Sequence, residues 1–119
     1  MRSTIGIDFG TTNTVVALGD GRGAATLVSF PVGEGEVVAF RSALSFQEPR
    51  TGERVVEAGP FAIEADVEDP ADARFIQSFK SYAASPLFTE TRVLGKRFTF
   101  EDLLSAFLFK LRDHAGDAV

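Results

Sequence analysis

Hydrophobic and small or polar residues alternate at the start of the chain. Ile5, Ile7 and Phe9 occupy every second position of the run 4–9, which is the period of a strand buried on one face. The run 10–13 reads Gly-Thr-Thr-Asn and is typical of a turn, and the β-branched run 14–18 predicts a strand that returns antiparallel to the first. After a second, glycine-rich turn, a third strand is expected over 25–30. The pattern predicts a three-stranded antiparallel meander.

The middle of the chain predicts short strands and a helix. Strand-like apolar residues occupy 37–47 and 54–58, on either side of a turn at 48–52. Proline is favoured in the first turn of a helix, so Gly59-Pro60 predicts a helix start, and Asp69-Pro70 predicts its end. These elements indicate a small α/β unit that follows the meander.

A second helix is predicted from the spacing of the next apolar residues. Phe75, Ile76, Phe79 and Ala83 fall on one stripe at helical spacing, and Lys80 projects from an adjacent side. A strand is expected after it, over 91–100.

The last predicted element is an amphipathic helix. Thr99 is expected to cap it, Asp102 lies in its first turn, and Gly116 marks its end. Its apolar face comprises Phe100, Leu103, Leu104, Phe107, Leu108 and Leu111. Nothing later in the sequence covers this face, so we expect exposed helix faces, self-association and an amino-terminal piece of a larger domain. His114 is expected to be an exposed imidazole near the helix end.

Composition narrows the class of protein. The 119 residues are 45% apolar and carry a net charge of −5, which suits one globular domain and gives no basic surface for nucleic acid or an anionic membrane. The absence of cysteine excludes disulfides and thiolate chemistry. No secretory signal or membrane-spanning stretch is recognisable, so a cytoplasmic protein is expected.

The run 5–17 concentrates groups that suit a phosphate. Glycine at position 10 allows close approach of the backbone, and amides with the hydroxyls of Thr11 and Thr12 can donate to phosphate oxygens. Asp8, at the end of the first strand, can hold a hydrated Mg²⁺. The Walker and dinucleotide-binding motifs are both absent. A decorated β-turn is the alternative, but the combination favours phosphate binding.

This run resembles the first phosphate motif of the superfamily that includes DnaK-type heat-shock chaperones, actins and sugar kinases. The stretch Asp8–Asn13 is similar to the chaperone version in particular. Residues 75–82 resemble the helix that presents a phosphate-contacting lysine in the family, with Lys80 at the matching position. Residues 91–104 resemble the YegD-like branch of these proteins, so the resemblance extends over nearly the whole chain.

The resemblance implies a fold. We expect an α/β structure, an incomplete ribonuclease-H-like (actin-like ATPase) lobe with an antiparallel three-stranded meander and a small α/β insertion. The implied division is a phosphate-loop meander over 1–36, an insertion subdomain over 37–98 and a crossing helix over 99–116.

The resemblance also implies roles for the site residues, with ATP or ADP and Mg²⁺ as cofactors. Gly10, Thr11, Thr12 and Asn13 contact the β- and γ-phosphates, Asp8 orders Mg²⁺ through water, and the catalytic roles fall to Lys80 and Thr11. The full-length protein is expected to be an ATPase that grips unfolded peptide clients through regions beyond this chain, which alone is expected to be inactive. A sugar-type kinase of the same superfamily and a nucleotide-insensitive interaction module are the alternatives.

Overall fold

A computed structural model describes residues 4–47, 55–68, 73–85, 88, 90–94 and 96–116, apart from the side chains of 65–68 and 73. Its strands are β1 (Thr4–Phe9), β2 (Asn13–Gly19), β3 (Ala25–Leu27), β4 (Phe30–Val32), β5 (Gly35–Val37), β6 (Phe40–Arg41), β7 (Ala43–Gln47), β8 (Val55–Ala58), β9 (Ala73–Gln77), β10 (Thr91–Val93) and β11 (Lys96–Phe98). Its helices are α1 (Pro60–Glu68), α2 (Ser81–Ala84) and α3 (Phe100–Ala115). The architecture is mixed α/β, and the pairings between described strands are antiparallel.

The predicted meander is confirmed. β2 pairs with β1 along one edge, and its other edge pairs with β3 near the carboxyl end and with β6 near the amino end. β3 ends earlier than expected, at Leu27, because Phe30 already belongs to β4. Pro31 lies inside β4, which forms a hairpin with β5. The division of the chain into a meander over 1–36 and an insertion subdomain over 37–98 stays a prediction. β6 belongs to the second of these ranges but pairs with β2 in the meander sheet.

A second sheet has the order β8-β7-β9 and corrects one predicted element. The run Ala73–Gln77, expected to begin a helix, is a strand paired with β7 over its whole length. Phe75 and Ile76 suit a strand as well as a helix, and short apolar runs do not separate the two. The buried central strand β7, about thirty residues earlier in the chain, decides the outcome. Each residue of Ala73–Gln77 has a partner on β7, so the strand satisfies the backbone polar groups of this run.

Two further boundaries follow from local chemistry. α1 begins at Pro60 as predicted; the turn at 48–52 and the helix end at Asp69-Pro70 lie outside the described residues. The strand expected over 91–100 is instead the hairpin β10–β11, and Leu94 within its turn adopts a φ of 50°. That positive φ belongs to turns, and it interrupts the extended run.

α3 packs on the core. Its predicted cap is confirmed as a capping box: the N–H of Asp102 donates to Thr99 Oγ1 at 3.2 Å, and the N–H of Thr99 donates to the Asp102 carboxylate at 2.9 Å. The expected apolar face is covered in part: Phe100, Leu104 and Leu108 are half-buried, and the expectation of exposure was wrong for Leu103, Phe107 and Leu111, which are buried. These side chains join an aromatic core with residues from both sheets.

Exposed apolar side chains lie on α3, where Phe109 is 70% exposed, and also on β1. Ile5 and Ile7 are 51% and 49% exposed, so the expectation that this strand is buried on one face was wrong. They line an open groove with Leu108 and Leu111 of α3. Self-association through exposed helix faces stays a prediction. Of the helices in the described ranges, none has the length and apolar character that a membrane span requires.

Candidate phosphate-binding site

The link between β1 and β2 is a tight turn that requires glycine. The Gly10 N–H donates to the carbonyl of Asn13 at 3.0 Å. A Cβ on Gly10 would lie 2.5 Å from that same carbonyl oxygen, closer than non-bonded atoms approach. The need for glycine therefore comes from the close approach of the turn's own backbone, and not from a positive φ. The expected approach of this backbone to a phosphate stays a prediction.

The buried residue Ser42 stabilises this turn from behind. Its N–H donates to the carbonyl of Thr12 at 2.8 Å, and its Oγ donates to the carbonyl of Gly10 at 2.8 Å. With the Asn13 carbonyl accepting from Gly10, the carbonyl oxygens at 10, 12 and 13 are all engaged by donors of the protein. Because these three oxygens, which carry partial negative charge, accept hydrogen bonds within the protein, they are not free on the outer side of the turn.

The two threonines of the turn keep their donors free. Thr11, Thr12 and Asn13 are exposed. Within the ranges the structure describes, the backbone N–H groups and the hydroxyls of the two threonines make no hydrogen bond, and the Thr11 carbonyl accepts none. Free N–H and O–H groups on an exposed turn whose other three carbonyls are engaged are donors of the kind that an anion requires.

Asp8 lies at the end of β1, one residue before Phe9, and its side chain is exposed. Among the described side chains it forms no ion pair. No group of three or more potential ligands from His, Cys, Asp and Glu occurs in the described part of the chain. A single carboxylate can hold a hydrated Mg²⁺ together with phosphate oxygens, and this role of Asp8 stays a prediction.

Lys80 lies in a turn, and its predicted place within a helix was wrong. It follows β9 and stands at the N-cap of the short helix α2, with φ −57° and ψ −31°. Ser78, two residues earlier, has a φ of 55°, and its carbonyl accepts from Ser81 Oγ at 2.9 Å. The chain therefore leaves the sheet sharply and exposes the Lys80 side chain, while Phe79 between them is buried.

The structure brings the Gly10 turn and the Lys80 turn to one region. The ring centroids of Phe9 and Phe79, the residues directly before Gly10 and Lys80, are 5.4 Å apart. The N–H of Ser78 donates to the carbonyl of Ser42 at 3.1 Å, so the residue that stabilises the first turn also holds the second. The predicted site residues are separated in sequence but share these two supports.

Sequence reasoning missed the supporting residues. Ser42 sits in a run of apolar and small residues, and only the three-dimensional pairing of β6 with β2 shows its role.

His114 was wrongly expected to be exposed. Its Nε2 lies 2.9 Å from Glu57 Oε1, and its ring stacks on Phe61 at a centroid distance of 3.9 Å. The imidazole therefore joins α3 to β8 and α1.

These features define a class: a mixed α/β domain with an exposed, donor-rich turn supported by a buried serine. Comparison with known proteins finds no relative of this chain. The chain matches no protein-family model, no curated protein and no solved structure.

Proposed function

We propose that this chain binds the terminal phosphates of ATP or ADP, with Mg²⁺, at the turn formed by Gly10, Thr11, Thr12 and Asn13. The observation that carries the proposal is the polarity of the turn. Its carbonyl oxygens at 10, 12 and 13 are bonded within the protein, whereas the hydroxyls and amides of the two threonines are exposed. Phosphate oxygens accept hydrogen bonds only, so they favour a surface of this kind.

Lys80 supplies the positive charge of the proposed site. Its turn is attached to the phosphate turn through Ser42 and through the contact of Phe9 with Phe79. Lys80 forms no ion pair with the described carboxylates, so its ammonium group is not neutralised within the ranges given above. In this role it offsets charge on the transferring phosphoryl group, together with the hydroxyl of Thr11.

Mg²⁺ enters the proposal only together with the nucleotide. One carboxylate, Asp8, binds the ion weakly alone, but Mg²⁺ commonly keeps several waters and is held by one or two carboxylates plus substrate phosphates. When bound, the ion neutralises phosphate charge. Asp8 accepts hydrogen bonds from its waters.

The class of protein we propose is a DnaK-type chaperone of the YegD-like branch, whose nucleotide-binding domain has a ribonuclease-H-like lobe. The run Asp8–Asn13 and the position of Lys80 support it, as does the antiparallel meander β1-β2-β3 that presents the turn. In that class ATP hydrolysis is coupled to the grip on unfolded peptides. We propose the same coupling for the full-length protein.

The test is a titration of the isotope-labelled chain, followed by amide chemical shifts. Mg²⁺-tripolyphosphate is the first probe, because the proposed contacts are to phosphates and not to adenosine; Mg-ATP is the second. We expect shifts at residues 10–13 and 79–81 with both probes, and none with AMP at equal concentration. Lys80→Met should weaken binding, whereas Lys96→Met, which removes an exposed lysine on β11, should not.

Two results would contradict the proposal. One is the absence of shifts in the turn at millimolar concentrations of both probes. The other is an equal loss of affinity in Lys80→Met and Lys96→Met, which would indicate general attraction of polyanions. Phosphorylation of a sugar by the full-length protein, without stimulation of hydrolysis by unfolded peptides, would replace the chaperone with the kinase alternative.

A further inference from the structure

Ser42 is a buried polar residue outside the set that contacts phosphate in the proposed site. It is 1% exposed, and it lies between β6 and β7, where the chain passes from the meander sheet to the second sheet. Each of its polar groups is bonded to a residue distant in sequence.

The bonds of Ser42 divide into two sets. Its N–H and its Oγ donate to the carbonyls of Thr12 and Gly10, both at 2.8 Å, and so hold the phosphate turn. Its carbonyl accepts the N–H of Ser78 at 3.1 Å and so holds the turn that exposes Lys80. One residue thus connects the two halves of the proposed site.

The donor in each hydroxyl contact of Ser42 follows from the number of protons that a hydroxyl carries. A serine hydroxyl has one proton and two lone pairs. The proton of Ser42 is used on the carbonyl of Gly10, so in the 2.9 Å contact with Thr14 Oγ1 the threonine must be the donor. Thr14 is fully buried on β2 and orients the Ser42 hydroxyl toward the phosphate turn. Removing the Ser42 hydroxyl breaks both hydrogen bonds of this relay, whereas removing the Thr14 hydroxyl breaks only the first.

We propose that Ser42 is a positioning residue for phosphate binding: it fixes the Gly10–Asn13 turn and the Lys80 turn in one arrangement. This inference rests on the function proposed above. Ser42 touches no phosphate itself. Its contribution to affinity is the preorganisation of donors that would otherwise have to be ordered on binding.

A matched pair of serines tests this role. Ser45, on β7, is also 1% exposed, but its hydroxyl has no hydrogen-bond partner among the described residues. We expect Ser42→Ala to weaken binding of Mg²⁺-tripolyphosphate by roughly tenfold, since the Gly10 carbonyl loses its donor. Ser45→Ala should leave the affinity unchanged. Thr14→Val should show a smaller loss, because the Ser42 bond to Gly10 can persist.

Amide shifts and hydrogen exchange without any ligand test the coupling separately. Ser42→Ala should perturb and deprotect the amides of 10–13 directly, because the Gly10 carbonyl loses its donor. It should perturb those of 78–81 less, because alanine keeps the backbone carbonyl that accepts from Ser78 and only a shift of that carbonyl reaches them. Ser45→Ala should perturb neither segment. If the wild-type chain binds no phosphate but these changes occur, the proposed function fails while the coupling stands. If Ser42→Ala disturbs only one segment, the coupling fails whether or not the chain binds phosphate.

A purely structural role gives a different result. Ser42→Ala would then lower the melting temperature but bind with wild-type affinity at a temperature where it is fully folded, and this outcome would overturn the proposal. If Ser42→Ala does not fold, Thr14→Val decides the question by the same two measurements. An unchanged affinity and unchanged amides in that variant would also reject the relay.

Discussion

The ring of Phe9 lies 5.4 Å from the ring of Phe79, and both rings contact Phe107 of α3 at 5.6 Å and 5.5 Å. Phe9 directly precedes the proposed phosphate turn, and Phe79 directly precedes Lys80. The exposed site therefore stands on an aromatic cluster that draws on β1, the turn after β9, and α3. Close-packed aromatic rings resist displacement, so the cluster fixes where the two turns begin.

The first prediction concerns Gly10. Gly10→Ala places a Cβ 2.5 Å from the Asn13 carbonyl oxygen, so the turn must open. We expect a loss of about 1–3 kcal/mol in the free energy of unfolding, the usual cost of an overpacked site, together with weaker binding of Mg²⁺-tripolyphosphate. Urea denaturation and the amide titration measure the two effects.

Gly6 offers the control for that substitution. It lies on β1, the strand that leads into the turn, and a Cβ there would meet no atom within 4 Å. Gly6→Ala should be neutral or slightly stabilising, because alanine restricts the unfolded chain. Equal effects of the two substitutions on the free energy of unfolding would show that the close approach at Gly10 does not contribute to stability.

The second prediction compares two phenylalanines of α3. Phe107 is fully buried, whereas Phe109 is 70% exposed. Phe107→Ala should cost about 3–5 kcal/mol through the cavity it leaves, and Phe109→Ala should change stability by less than about 0.5 kcal/mol. Since small domains have only about 5–15 kcal/mol in total, the Phe107 variant should be measured at low temperature. A small loss at Phe107 would contradict the aromatic cluster described above.

The elements that the sequence predicted correctly are those determined by local chemistry. The alternation and turn residues of 4–19 suffice for β1 and β2, and the pair Thr99 and Asp102 defines the start of α3. The placement of β9 could not be predicted in this way, because its partner β7 is distant in sequence. Local spacing favoured a helix, and the long-range ladder overrode it.

The candidate site shows the same division. Asp8, Gly10 and the threonines are recognisable because they are contiguous and chemically specific. Ser42 carries no such mark, since serine is common and its role depends on where two sheets meet. The exposure of Ile5 and Ile7 was missed for a related reason: alternation shows that a strand has two faces, but not whether another element covers one of them.

The third prediction tests the cap of α3. Thr99→Ala removes the acceptor for the Asp102 N–H, and we expect a loss of about 1 kcal/mol, typical of N-cap threonines. Thr99→Ser keeps the oxygen and should retain most of the stability. The measurement is thermal or urea unfolding followed by circular dichroism. A serine variant as unstable as the alanine variant would argue that the methyl group, and not the cap, matters.

The last prediction concerns the pair His114 and Glu57, which joins the end of α3 to β8. The imidazole Nε2 lies 2.9 Å from the carboxylate, and both side chains are about three-quarters buried, at 22% and 26% exposure. His114→Ala also removes the stacking on Phe61, so its cost should exceed that of Glu57→Gln, which keeps an acceptor. We expect about 1–3 kcal/mol for the histidine substitution, as for other buried hydrogen-bonded groups.

A double-mutant cycle isolates the hydrogen bond from the stacking. Contacting residues commonly show coupling energies of about 0.5–3 kcal/mol, and we expect His114→Ala and Glu57→Ala to fall in that range. Lys110, whose Nζ lies 4.0 Å from the same carboxylate, provides the comparison. Its longer and partly exposed contact should couple to Glu57 by less than about 1 kcal/mol. If Lys110 couples to Glu57 more strongly than His114 does, the carboxylate serves mainly as a counter-ion, and the imidazole owes its position to the rings of Phe61 and Phe40.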